Sequence, residues 1–122
     1  MKFITEVEVT NDMIENLIVN SMEGGSNYWM EWISVPLKEG FKWDSDNYAM
    51  QIINGEVELK IYDTEEPEEF LGILNIKTIE KGLSEMSQQY PEDFNNIINE
   101  NDDAETADIF MQLAIMGEIV YG

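Results

Sequence analysis

Carboxylates are the side chains with which this sequence could do chemistry, and most of them fall into two clusters. Residues 56–69 contain seven acidic side chains and one lysine, and residues 92–108 contain seven acidic side chains and no base. Such clusters attract basic partners through long-range electrostatics, but they also keep a small protein dispersed in solution. The acidic residues that we expect to contact a partner are Glu56, Glu58, Glu65, Glu66, Glu68, Glu69, Asp102, Asp103, Glu105 and Asp108.

The residue types that are missing exclude most other chemistry. The 122 residues include 26 Asp and Glu, six bases that are all lysines, and no His or Cys, which gives a net charge of -20. The chain therefore has no thiolate nucleophile, no zinc–thiolate site and no histidine general base. We expect a protein that is not an enzyme and that needs no cofactor. Because nucleic acids and anionic lipids are bound by cations, we also expect no direct contact with either.

Two short acidic segments resemble the start of a calcium-binding loop. They lie at residues 44–46 and 101–103. An EF-hand loop needs Gly at position six and Glu at position twelve, whereas counting from Asp44 places Ala49 and Gly55 there. We predict no dedicated metal site, and only loose binding of Ca²⁺ or Mg²⁺ stays open. Glycoside chemistry needs one closely spaced carboxylate pair in a cleft, and nothing in the sequence distinguishes such a pair.

The average charge density is too low for the whole surface to imitate DNA. A folded protein of 14.1 kDa exposes roughly 6,700 Å², so that an even coat would carry one net charge per roughly 340 Å². B-DNA carries one charge per roughly 110 Å² of its surface, which is about threefold denser. Mimicry therefore requires the acids to concentrate on about a third of the surface.

An aromatic group precedes the first acidic cluster. Packing in the core is the default interpretation of these side chains, although Trp and Tyr are also favoured anchors at protein interfaces. The group comprises Tyr28, Trp29, Trp32, Phe41, Trp43 and Tyr48.

Hydrophobic periodicity predicts the elements that must position these residues. Alternating or β-branched segments indicate strands, and a spacing of three and four residues indicates helices. The predicted strands are residues 2–9, 28–35, 47–53, 56–63, 70–74 and 118–121, and the predicted helices are residues 11–23, 76–90, 91–98 and 104–116. We expect one α+β domain over residues 1–122, with a mostly antiparallel sheet of about five strands and three to four helices.

Local signals set the boundaries of these elements. Asn54 and Gly55 favour a type I′ hairpin turn, which needs positive φ at both positions. Asn75 and Asp103 are predicted N-caps, and Gly117 is a predicted helix end.

The helix predicted over residues 104–116 is apolar on almost every side, with Gln112 as its only polar residue after Asp108. Such a helix is either central in its own fold or packed against a second subunit. We expect a homodimer contact here, with burial inside the chain as the alternative.

Two short segments of the chain have distinctive residue patterns. One is the GG-x-NYW segment at residues 24–29, and the other is the GE-x-VYG segment at residues 117–122. Together with Glu105, Thr106, Ala107, Asp108 and Gln112, they resemble segments of a family of small acidic phage and prophage proteins. The resemblance implies a mobile-element origin and carries no catalytic residue with it. Small acidic phage proteins as a class include anti-CRISPR and antirestriction proteins, so the resemblance favours an anti-defence function by analogy.

Together these observations predict a non-enzymatic, phage-type inhibitor. Its acidic surface, a candidate DNA mimic, would block a basic nucleic-acid-binding site in a host defence complex such as CRISPR–Cas. The alternatives are an acidic immunity protein or antitoxin that neutralises a basic toxin or nuclease, and a structural or accessory phage protein. The sequence contains neither a signal-peptide pattern nor an apolar segment of about 20 residues, and we expect it to act in the host cytoplasm.

Overall fold

The computed structural model describes residues 1–3 and 5–122, and its architecture is α+β. Helices and strands follow one another along the chain, and a short π-helical turn extends the first helix. The elements are α1 (Asn11–Asn20), the π turn (Ser21–Gly25), β1 (Met30–Pro36), α2 (Tyr48–Ile53), β2 (Val57–Asp63), β3 (Phe70–Leu74), α3 (Ile76–Gln89), α4 (Pro91–Ile98) and α5 (Ala104–Met116).

The three strands form an antiparallel sheet in the order β1–β2–β3. Met30 lies opposite Asp63 at one end of the β1–β2 pair, and Leu59 lies opposite Leu74 in the β2–β3 pair. Strand β2 alternates as its sequence requires, so Val57, Leu59 and Ile61 are buried. Asp63 and the acidic turn that follows it therefore lie at the end of the sheet where β1 begins.

Helix α5 is the centre of the molecule. It contacts α1, α3, α4, β3 and the π turn, and Phe110, Met111 and Leu113 have no exposed surface. Burial inside the chain thus accounts for the apolar character that led us to expect a dimer contact at this helix. The homodimer stays a prediction, without α5 as its support.

Gly82 sets the distance between α3 and α5, and replacing it with alanine is expected to destabilise the fold. A Cβ at position 82 would lie 2.8 Å from Cα and Cβ of Ala114, and overpacking of this kind costs about 1–3 kcal/mol in free energy of unfolding. Gly24→Ala is the matched control, because no atom lies within 4 Å of its added Cβ. Urea unfolding of both variants measures the difference, and equal stability would contradict the close packing.

The predicted strand over residues 47–53 is wrong, because Tyr48–Ile53 is helix α2. Tyr48, Ala49, Gln51, Ile52 and Ile53 are all buried, so the sequence shows no one-sided helical pattern. The hairpin predicted at residues 54–55 is wrong for a related reason. Only Gly55 has positive φ, at 71°, whereas Asn54 has φ -81°, so these two residues end a helix.

The predicted strand over residues 118–121 is also wrong, since this tail is irregular. Residues 2–3 and 5–9 likewise form no strand, and position 4 of that prediction lies outside the described residues. Phe3 and Val7 are exposed, because no neighbouring strand covers the apolar side of the alternating pattern. The described residues accordingly form fewer strands than the sequence predicts.

None of the described helices has the length and apolar character needed to cross a membrane.

Candidate functional site

Two adjoining clefts share the exposed Tyr28 and the half-buried Tyr121. The larger cleft, of about 590 Å³, lies between the π turn, α5 and the C-terminal tail, and Glu105 and Asp108 contribute to its wall. The smaller cleft, of about 130 Å³, is lined on its acidic side by Asp63 and Glu65. We call the two tyrosines with these four carboxylates the tyrosine face, which contains residues from both acidic clusters.

Asp108 joins α5 to the segment that follows the π turn. Its Oδ1 accepts hydrogen bonds from Ser26 Oγ at 2.8 Å and from Trp29 Nε1 at 2.7 Å. Its Oδ2 accepts from Tyr28 Oη at 2.7 Å and from Gln112 Nε2 at 3.1 Å. Four donors within the chain occupy this carboxylate, so it positions Tyr28 and is poorly placed to act as a free base.

Gln112 holds the C-terminal tail against α5. Its Oε1 accepts the backbone N–H groups of Val120 at 2.8 Å and Tyr121 at 2.9 Å, and its Nε2 donates to the carbonyl of Tyr121 at 3.2 Å. The side-chain amide thereby supplies the hydrogen-bond partners that a neighbouring strand would otherwise supply to the tail. Because these backbone groups are satisfied by one buried side chain, the tail is ordered without joining the sheet.

Tyr121 connects the tail to the end of β2. Its ring stacks on Trp29, with centroids 5.1 Å apart and planes 9° apart, and its hydroxyl donates to Asp63 Oδ2 at 2.5 Å. This hydrogen bond lowers the pKa of Asp63 below its usual value. It is also the main reason why the pKa of Tyr121 rises to about 12, together with burial and the nearby carboxylates.

The acidic turn, residues 63–69, is the most crowded group of charges near the tyrosine face. Asp63 Oδ1 accepts the backbone N–H groups of Glu65 at 2.7 Å and Glu66 at 3.0 Å, which fixes the start of the turn. A hydrogen bond to Glu66, followed by repulsion from Glu66, raises the pKa of Glu69. The turn therefore presents several exposed carboxylates, and at Glu69 the hydrogen bond and the charges of its neighbours oppose ionisation.

The structure brings some of the predicted site residues together and separates others. Glu65, Glu66, Glu68 and Glu69 lie in the acidic turn beside Tyr121, and Glu105 and Asp108 lie across the tyrosines. Glu56 and Glu58 lie at the opposite end of β2, which is roughly 20 Å away at ~3.3 Å per residue. Glu58 there accepts a hydrogen bond from Asn75.

Asp102 and Asp103 lie at the start of α5, next to the tyrosine face. Asp103 caps the helix by accepting the N–H of Thr106 at 2.9 Å, and this hydrogen bond is the main reason why its pKa is lowered. Asp102 accepts from Asn20 Nδ2 at 3.0 Å. Both carboxylates line a further cleft of about 280 Å³ with Glu23, so they extend the acidic surface beyond Glu105.

Sequence reasoning did not identify Tyr28, Tyr121 and Gln112 as members of one site. Both tyrosines lie in the two segments singled out by their resemblance to phage proteins, and Gln112 is the lone polar residue late in α5. These were the available signals, but only the fold shows that they converge. In the described part of the chain, no three acidic side chains are arranged to hold a metal ion.

No protein-family model, curated protein or solved structure matches this chain. The resemblance to small acidic phage proteins accordingly stays an expectation, and the tyrosine face is the feature of this chain that indicates a function.

Proposed function

We propose that this protein is a non-enzymatic inhibitor whose tyrosine face occupies the basic, nucleic-acid-binding site of another protein. A lysine- and arginine-lined channel in a host defence complex of the CRISPR–Cas kind has the matching chemistry. The observation that carries the proposal is that Tyr28 and Tyr121 line two clefts at once, one with Asp63 and Glu65 and the other with Glu105 and Asp108. No lysine is among the residues that line either cleft in the described structure.

Concentration of charge is what distinguishes a mimic from a merely acidic protein. Spread over the 7390 Å² of accessible surface, 20 net charges would give one per roughly 370 Å², against one per roughly 110 Å² on B-DNA. For mimicry, charge must be concentrated where the acidic turn and the start of α5 border the tyrosine face. Carboxylates at such a surface speed association with a basic partner.

The tyrosines supply short-range contact at the centre of this acidic surface. Aromatic side chains surrounded by polar groups are typical energetic centres of protein interfaces. Asp108 holds Tyr28, and Gln112 and Asp63 hold Tyr121, so little conformational freedom is lost when a partner binds.

The protonation states of the site favour binding over catalysis. Partial desolvation, followed by the hydrogen bond to Asp108 and its charge, raises the pKa of the largely exposed Tyr28 to about 12, and the pKa of Tyr121 is also about 12. Both hydroxyls are therefore protonated at neutral pH. With four donors on Asp108, this leaves no activated nucleophile or poised base in the centre of the site.

Affinity capture from bacterial host lysate tests the proposal. The immobilised protein is expected to retain a basic, nucleic-acid-binding protein at low salt. The retained amount is expected to fall at least ~tenfold at high salt, because charge attraction is screened. Duplex DNA is expected to release the captured protein. The purified partner must also lose DNA binding when the inhibitor is present. Retention that is unchanged by salt and by DNA would contradict the proposal.

The identity of the captured protein separates the proposal from its alternatives. A subunit of a DNA- or RNA-guided defence complex supports the inhibitor. A single small nuclease or toxin, encoded beside this protein and neutralised by it, would instead support an immunity protein or antitoxin. Recovery of the protein in purified virions, with no captured partner, would support a structural or accessory phage protein.

A further inference from the structure

Another pocket, which lies outside the tyrosine face, is lined mainly by aromatic rings. It has a volume of about 200 Å³ and lies among Met22, Glu23, Trp32, Trp43, Ser45 and Tyr48. We call it the indole pocket. It brings together the π turn, strand β1, the loop that follows β1 and the start of α2.

The three rings of the indole pocket contact one another in a row. The centroids of Trp32 and Trp43 are 4.5 Å apart with planes tilted by 36°, and those of Trp43 and Tyr48 are 5.0 Å apart with planes 16° apart. Tyr48 belongs to the core, but Trp32 at the other end of the row is 38% exposed. A large aromatic side chain left in water beside a preformed pocket is a feature of binding surfaces.

Glu23 gives the indole pocket its electrostatic character. Burial, followed by the charge of Glu23, raises the pKa of Tyr48 to about 12, so the field of this carboxylate reaches the ring at the base of the pocket. Aromatic faces attract cations, most strongly when the ring is that of Trp. Trp43 contacts Trp32 and Tyr48, so the part-exposed ring of Trp32 is the one that a ligand can cover. With the carboxylate of Glu23 in the same pocket, this ring favours an organic cation over a neutral or anionic ligand.

Guanidinium matches this combination better than other biological cations. It is planar, weakly hydrated, stacks on aromatic rings and pairs with a carboxylate through two N–H groups at once. The volume of about 200 Å³ is below the roughly 300–1,000 Å³ of pockets that hold whole small molecules, so it suits one side-chain head group.

We propose that the indole pocket binds the guanidinium group of an arginine side chain on the protein partner. The proposal rests on the proposed function only in that a basic partner supplies the arginine. Trp32 and Glu23 add a specific anchor to the general attraction of the acidic surface.

Titration with N-acetyl-arginine amide tests the pocket without any partner. In ¹⁵N NMR spectra, the indole N–H signals of Trp32 and Trp43 are expected to shift saturably, while that of Trp29, in the tyrosine face, stays in place. N-acetyl-lysine amide carries the same charge and is expected to bind at least ~threefold more weakly because its ammonium is more strongly hydrated. The neutral citrulline amide is expected to cause no shift.

Two variants confirm the assignment. Trp32→Ala removes a part-exposed ring and Glu23→Gln removes the carboxylate, and both are expected to abolish the arginine-induced shift at Trp43. Glu80→Gln, which removes an exposed charge on α3, is expected to leave that shift unchanged. The proposal is overturned if lysine amide or tetramethylammonium binds as tightly as arginine amide, if the shifts are non-saturable, or if both pocket variants respond like the unaltered protein.

The outcomes for the two proposals are separable. Arginine binding without capture of a basic partner would support the arginine site in the indole pocket and contradict the inhibitor function. Salt-sensitive capture without arginine binding would support the inhibitor function and contradict the arginine site.

Discussion

Replacing Asp108 with alanine is expected to lower the free energy of unfolding by about 3–5 kcal/mol, because two buried donors lose their acceptor at ~1–3 kcal/mol each and two further hydrogen bonds are lost. The buried donors are Ser26 Oγ and Trp29 Nε1, and Trp29 is only 2% exposed. Tyr28 and Gln112 lose the other two bonds. Urea unfolding followed by tryptophan fluorescence measures the change.

Two controls show whether hydrogen bonding is the cause. Asp108→Asn keeps an oxygen for Ser26 and Trp29, so it is expected to be clearly more stable than Asp108→Ala. Glu80→Ala removes an exposed acid from α3 and is expected to change stability by less than ~0.5 kcal/mol. If Asp108→Ala were as stable as Glu80→Ala, the carboxylate would not be the structural centre of the tyrosine face.

Neutralising one acid on each side of the tyrosines is expected to weaken partner binding far more than neutralising two acids elsewhere. Glu65→Gln combined with Glu105→Gln changes both walls of the tyrosine face, and the captured partner is expected to bind at least ~tenfold more weakly at low salt. Glu39→Gln combined with Glu80→Gln alters the net charge equally, at exposed positions on a loop and on α3. Surface plasmon resonance at several salt concentrations compares the two double variants.

Salt dependence decides how this second result is interpreted. The difference between the double variants is expected to shrink at high salt, because exposed charges are then screened. Equal weakening of both would show that net charge alone drives association, which contradicts a localised face. Since Glu105 lies in the first turn of α5 and favours that helix by ~0.3–1 kcal/mol, the unfolding midpoints are measured alongside.

The helices of the second half of the chain could be predicted because their signals are local. Asp103 caps α5 and Gly117 ends it with φ 77°, so both predicted ends are correct. Asn75 caps α3 through a reciprocal pair of hydrogen bonds with Thr78. Caps and left-handed ends depend on a few neighbouring residues, and sequence reasoning can evaluate these directly.

Segments whose structure depends on distant partners could not be predicted in this way. Helix α2 is buried on nearly all sides, which removes the periodic pattern by which a helix is recognised. The C-terminal tail has the residue types of a strand, but its backbone groups bond to Gln112.

The sequence predicts which residue types form the candidate site, but not how they are arranged in space. The clusters at residues 56–69 and 92–108 indicate acidic surfaces, yet Glu58 and Glu65 lie towards opposite ends of β2. The sequence predicts that Asp108 contacts a partner, whereas in the structure its carboxylate accepts hydrogen bonds from within the chain. One of the donors is Ser26 Oγ, 82 positions earlier.

The sequence separation within the Asp108 network has a consequence for the order of folding. The β2–β3 hairpin and the α3–α4 pair join neighbouring segments, whereas the bonds from Ser26, Tyr28 and Trp29 to Asp108 close loops of about 80 residues. Closing such loops costs more entropy than local pairing and is favourable only once other contacts have shortened them. The surface proposed for recognition is therefore completed late, and partly folded chains with native-like helices still lack it.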